Sequence, residues 1–107
     1  MNDKYILDEH GEPVPCEDLM KWASQFEQDW ERRIVKQEQI GDSKVSTVFL
    51  GLDHGFGKGD PVLWETMIFG GERDQEMHRC SGSREQAEAM HYKTAQSVRA
   101  SLPSATD

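Results

Sequence analysis

The stretch VSTVFLGLDHGFGKGDPVLWETMIF, Val45 to Phe69, decides the fold of this chain. Two apolar runs of eight residues, VSTVFLGL (Val45–Leu52) and VLWETMIF (Val62–Phe69), flank the polar, glycine-rich DHGFGKGDP. Both runs are rich in β-branched and aromatic side chains, which fit a pleated surface. In the first, Val45, Val48, Phe49, Leu50 and Leu52 do not alternate cleanly with polar residues, which is the pattern of a strand covered on both faces. The pair is predicted to form the central hairpin of one small sheet, with the rest of the chain as its cover.

Upstream, Arg33–Ile40 (RIVKQEQI) reads as a strand with a polar face, and GDSK (Gly41–Lys44) as the turn into Val45. Downstream, Gly70–Asp74 supplies another turn and Gln75–Cys80 (QEMHRC) a short fourth strand, with Met77 and Arg79 on one face. The polarity of that run suits an edge.

Two helices frame this meander. Leu19, Trp22, Ala23, Phe26 and Trp30 fall on one stripe of a helix beginning near Glu17, with Lys21, Gln25, Gln28, Asp29 and Arg32 opposite. The stripe is predicted to be a core face, each large aromatic worth ~2–3 kcal/mol if fully covered. The second helix opens at Ser83, where Ser83 and Gln86 make a capping box. Its stripe is Ala87, Met90, His91, Thr94, Val98 and Leu102, small enough to lie close to a sheet. Pro103 is expected to end it, leaving 103–107 as a frayed tail. At the other end, Lys4–Leu7 is a short strand candidate, and Pro13 and Pro15 keep their neighbours extended. The expected fold is α+β: a single domain over 1–102, a two-layer antiparallel β-meander packed by two helices, in the order β-α-β-β-β-β-α.

At 107 residues the chain can build one modest core, burying ~60–70% of its unfolded surface. Cys16 and Cys80 form no metal-ligand spacing and read as free thiols in a reducing compartment. The acidic opening lacks a signal-peptide h-region, and no run approaches the ~18 apolar residues of a membrane span. A cytoplasmic protein without membrane contact is expected. Charge is lopsided: residues 1–31 hold nine acids against Lys4 and Lys21, nearly all of the net charge of −8. Such a lobe disfavours direct nucleic-acid binding, which needs clustered Lys and Arg. It favours a partner protein with a basic surface, unless it serves only solubility.

The Asp53–Pro61 loop concentrates chemistry: Asp53, His54, Lys58 and Asp60, with Phe56 among them and Glu65 in the next run. A His beside carboxylates can be a base with its orienting partner, or part of a metal site. Metal sites need about three protein ligands, and only His54 is a strong one here, so neither metal nor cofactor is expected. The alternative is a hairpin loop with solvated charges. Gly55, Gly57 and Gly59 with Lys58 fit neither the P-loop nor the dinucleotide pattern. Glu65 is the unusual residue, a carboxylate within an apolar run. It needs a cation such as Arg33, Lys36, Lys44 or Arg79, or else lines a pocket with Trp64. Trp64 also suits the core. His78 reads as a strand residue, and His91 as a helix residue at the core margin.

YILDEHGEPVP (Tyr5–Pro15), STVFLGLDH (Ser46–His54), Phe56-Gly57, PVLWETMIFGG (Pro61–Gly71) and SREQAEAMH (Ser83–His91) together resemble a group of small proteins encoded by bacteriophages and prophages. The usual pattern of that group carries an aromatic before the final helix, where this chain has Cys80. The resemblance implies phage origin rather than a particular activity. By analogy of size and charge it points to a counter-defence role, as in anti-CRISPR proteins. The expected function is non-catalytic: binding and modulating a host or defence protein through Glu27, Asp29 and Glu31 and through the loop residues Asp53, His54, Phe56, Lys58 and Asp60. Two alternatives stand beside it. One is a small-ligand or metal-dependent enzyme centred on Asp53, His54 and Glu65; the other is a structural factor acting as a homo-oligomer. The chain is expected to be a monomer or a homodimer paired through an edge strand.

Overall fold

A computed structural model describes residues 2–102; the expected tail, with Pro103, lies outside the described residues. The element order is β1 (Tyr5–Leu7), β2 (Pro13–Pro15), α1 (Leu19–Gln28), a 3-10 turn (Trp30–Arg33), β3 (Ile34–Ile40), β4 (Ser43–Phe49), β5 (Val62–Phe69), β6 (Met77–Ser81) and α2 (Arg84–Ala100). β3 to β6 form one antiparallel meander in sequence order, and β1 pairs with β2 in a separate two-stranded ladder. The α+β class and the meander are as the sequence leads one to expect. The addition is β2, where the prolines that keep Val14 extended also align it opposite Ile6.

The register of the central hairpin builds the core in bands. Val45 faces Ile68, Thr47 faces Thr66, and Phe49 faces Trp64, all on the side covered by α2. The first pair joins Ile40, Ala95 and Val98 in one buried apolar cluster. The third joins Leu7, Leu63 and Ala87 in another, with the Phe49 and Trp64 ring centroids 5.2 Å apart. The Trp64 indole N–H donates to the Gly82 carbonyl at 2.8 Å, so this large side chain is buried without an orphaned donor. Between the clusters lies the threonine band, and His91 of α2 descends onto it. His91 is 2% exposed, a core residue rather than a marginal one. Ala95 takes the place in the buried stripe that the spacing assigns to Leu102, which is 42% exposed.

α1 departs from expectation. None of its residues is fully buried, and Leu19 and Trp30 are more than half exposed. Trp22 and Phe26, 4.5 Å apart, do turn inward, but what they meet is the Gly51 turn rather than the sheet face. Gln25, expected on the outer face, instead mimics a neighbouring strand. Its amide accepts from the Leu7 N–H at 2.8 Å and donates to the Leu7 carbonyl at 3.0 Å. The helix begins one residue later than Asp18, whose carboxylate caps the N–H groups of Met20 and Lys21. The chain after α1 tightens into the 3-10 turn before β3 starts, so Arg33 is not yet strand. Its guanidinium stacks 3.8 Å above the Phe26 ring and donates to the Phe49 carbonyl, and its burial there lowers its pKa.

Candidate functional site

Gly51 is where the candidate residues converge. Its carbonyl accepts from the Tyr5 N–H at 2.9 Å and from the Trp22 indole N–H at 3.0 Å. Its φ of +76° is one that glycine adopts freely. A Cβ there would sit 2.4 Å from the Phe26 ring. This turn therefore fastens β1, α1 and the root of the Asp53–Pro61 loop at one end of the sheet. Glu27 on α1, Asp29 at the junction and Glu31 in the 3-10 turn are all exposed. Among the described residues none of the three forms an ion pair. Trp30, in their midst, is 54% exposed.

The loop is organised by Asp53 rather than left to solvent. One carboxylate oxygen accepts from the Gly55 N–H at 2.7 Å and from the Val62 N–H at 2.9 Å, closing the loop across its base. The Val62 and Gly55 amides hold the Asp53 carboxyl below its ordinary pKa. His54 does not pair with this carboxylate. Its Nδ1–H donates to the Leu52 carbonyl at 2.8 Å. Phe56 stands at the loop's tip, 86% exposed, with φ +56°. Lys58 and Asp60 are exposed as well. A shallow depression of ≈440 Å³ lies beside Asp53, His54 and Phe56, lined also by Asp3.

Glu65 and Trp64 do not join it. Trp64 is fully buried, so the pocket reading of this residue gives way to the core reading. Glu65 points to the other side of β5, where Arg79 of β6, directly opposite, donates through Nε at 2.9 Å. Of the four cations that the sequence offers, strand register selects this one. The three residues of the catalytic alternative share no hydrogen bond: Asp53 clamps the loop, His54 beside it bonds its own backbone, and Glu65 lies apart, paired with Arg79. Among the described residues no group of three or more His, Cys, Asp or Glu is placed to hold a metal ion.

The fold assembles a second polar constellation from residues far apart in sequence. Thr47 Oγ1 lies 2.7 Å from His91 Nδ1, and His91 Nε2 lies 2.8 Å from Glu38 of β3. Thr66 bonds Thr47 from the neighbouring strand, while Arg99 and Lys36 flank Glu38. Hydroxyl, imidazole and carboxylate in line is the order of a nucleophilic triad. Thr47 and Thr66 are fully buried, however, and no reacting atom can approach the hydroxyl. The constellation is a satisfied core network. His91 within an apolar stripe was its one visible trace; its partners lie 44 and 53 residues away in sequence.

No family model, curated protein or solved structure matches this chain.

Proposed function

We propose that this chain is a non-catalytic binding module, of the kind phages encode, that docks its acidic end on a basic surface of a host or defence protein and modulates that protein. The observation that carries this reading is Phe56. A phenylalanine at positive φ is a backbone outlier that costs of order 1–3 kcal/mol and persists only where its surroundings impose it. Here it is held in a tight turn, closed by the Lys58 N–H on the Gly55 carbonyl, whose two central residues Phe56 and Gly57 are both at positive φ, and the ring is turned to the solvent rather than the core. Exposed aromatics ringed by charge are the usual anchors of protein interfaces. Trp30 repeats the arrangement amid Glu27, Asp29 and Glu31. Unpaired carboxylates in that number speed encounter with a basic partner and repel nucleic-acid backbone.

The test is affinity capture from bacterial host lysate with three baits: wild type, Phe56→Ser, and the triple change Glu27→Lys, Asp29→Lys, Glu31→Lys. Thermal melts confirm that each bait is folded. Wild type is expected to retain a basic protein that elutes as salt rises, and both variants to lose it. Identical captures by all three baits would remove the acidic end from the function.

A further inference from the structure

β6 is the outer strand of the meander, and among the described residues no other backbone pairs with its free side. In an antiparallel ladder alternate N–H and C=O groups of such a strand point outward, ready to receive another chain. Between β6 and α2 runs a groove of ≈480 Å³, with Cys80 and Met90 in its apolar part and Arg73, His78, Lys93 and Ser97 around it. Burial raises the Cys80 pKa, so the thiol stays uncharged. No acid lines this groove, in a chain whose net charge is −8. Arg73 and His78 already share Glu76, and Arg79 on the strand's other face holds Glu65; Lys93 is exposed and makes no ion pair among the described residues. The opposite edge of the sheet differs. Beside β3 the cavity is only ≈80 Å³, and Glu38 and Glu88 line it together with a single lysine, Lys36.

We propose that β6 and the groove beside it dock an extended acidic segment of a partner protein, which adds to the meander as a fifth strand. Backbone bonds to β6 supply affinity that is independent of sequence. Alternate side chains reach either the apolar groove or the cations at its rim. Charge decides the occupant. A second copy paired through its own β6 would bring the same cation-rimmed groove and no carboxylate, whereas an acidic segment brings carboxylates to Lys93. This surface is distinct from the acidic end and would act independently of it.

The probe is a fluorescein-labelled Val-Glu-Val-Glu-Val-Glu peptide, compared with its Val-Lys counterpart and with a version N-methylated at alternate amides. Anisotropy is read at low salt, and amide NMR shifts locate the site. Binding of the acidic peptide is expected, with shifts concentrated on Met77–Ser81 and on 89–97. Lys93→Glu should weaken it about tenfold, and N-methylation should abolish it, since it blocks the ladder while keeping the charge. Several results would overturn the proposal: no binding at millimolar peptide, equal binding of the lysine peptide, undiminished binding of the methylated peptide, or shifts elsewhere. Sedimentation showing a dimer that the peptide cannot dissociate would assign the edge to a second copy instead.

Discussion

His91 Nε2 stands 2.8 Å from Glu38 Oε1, joining the middle of α2 to the edge strand β3 across the threonine band of the core. The ring bonds both neighbours at once, Nε2 to the Glu38 carboxylate and Nδ1 to the Thr47 hydroxyl. Among the described residues no buried side-chain polar atom lacks a partner, and this ring is central to that completeness.

Replacing His91 by Ala is therefore expected to do more than open a cavity. Thr47 loses one of its two partners, and Glu38 keeps only Arg99 as its bond to α2. The cost should be roughly 2–4 kcal/mol, read from the midpoint of urea unfolding. A change below about 1 kcal/mol would mean that the threonine pair closes on itself without the ring.

Acid should unfold this protein through a few defined carboxyls. The Glu12 amide lowers the pKa of Asp8, the His91 ring that of Glu38 and the Val62 amide that of Asp53, while Arg73 brings Glu76 from 4.5 down to about 2. A carboxyl depressed in the folded state binds fewer protons there than in the unfolded chain. Its stabilisation is present above the ordinary carboxylate range and disappears as pH falls through the folded value. The melting temperature should be level from about pH 7 to 5 and then decline towards pH 2. Glu38→Gln and Glu76→Gln should each flatten the decline, Glu76 only slightly because solvent screens a side chain that is 35% exposed. Unchanged slopes in both variants would shift the acid sensitivity elsewhere.

Gly51→Ala tests the node that carries the acidic end. The substitution forces a side chain into the left-handed region and drives its Cβ onto Phe26. About 1 kcal/mol for the backbone and 1–3 for the overpacking are expected. The damage should be local. Hydrogen exchange should rise in α1 and the 3-10 turn before β4 and β5 are affected, because α1 has no fully buried residue to hold it once Phe26 is displaced.

The Glu65–Arg79 pair joins side chains 16% and 36% exposed through one guanidinium nitrogen. A double-mutant cycle with Glu65→Gln and Arg79→Gln should give a coupling of about 0.5–1 kcal/mol, shrinking with salt. A coupling near zero would mean that solvent screens the pair fully.

Much of the architecture was legible because its signals are local. The two apolar runs around DHGFGKGDP became β4 and β5, the polar QEMHRC run became the edge strand β6, and Ser83 with Gln86 marked the start of α2, where the Ser83 N–H donates to Gln86 Oε1 at 2.8 Å. The first helix departs from its apolar stripe for an equally physical reason. An apolar stripe records which side of a helix faces inward, but says nothing of how much surface is there to receive it. Trp22 and Phe26 meet the Gly51 turn, Lys4 and Arg33 rather than the sheet, and Trp30 stays 54% exposed. The same holds for Gln25, whose amide bonds Leu7 because β1 offers a free edge there.

The composition and order of residues determined the α+β class, the meander and the concentration of negative charge before Arg32, since periodicity, turn chemistry and charge are properties of neighbours in sequence. Tertiary structure alone decided three things. It gave Glu65 to Arg79, seated His91 between Thr47 and Glu38, and gathered α1 and the Asp53 loop around Gly51. Each depends on strand register or helix placement, where a shift of one residue reverses which side chains meet.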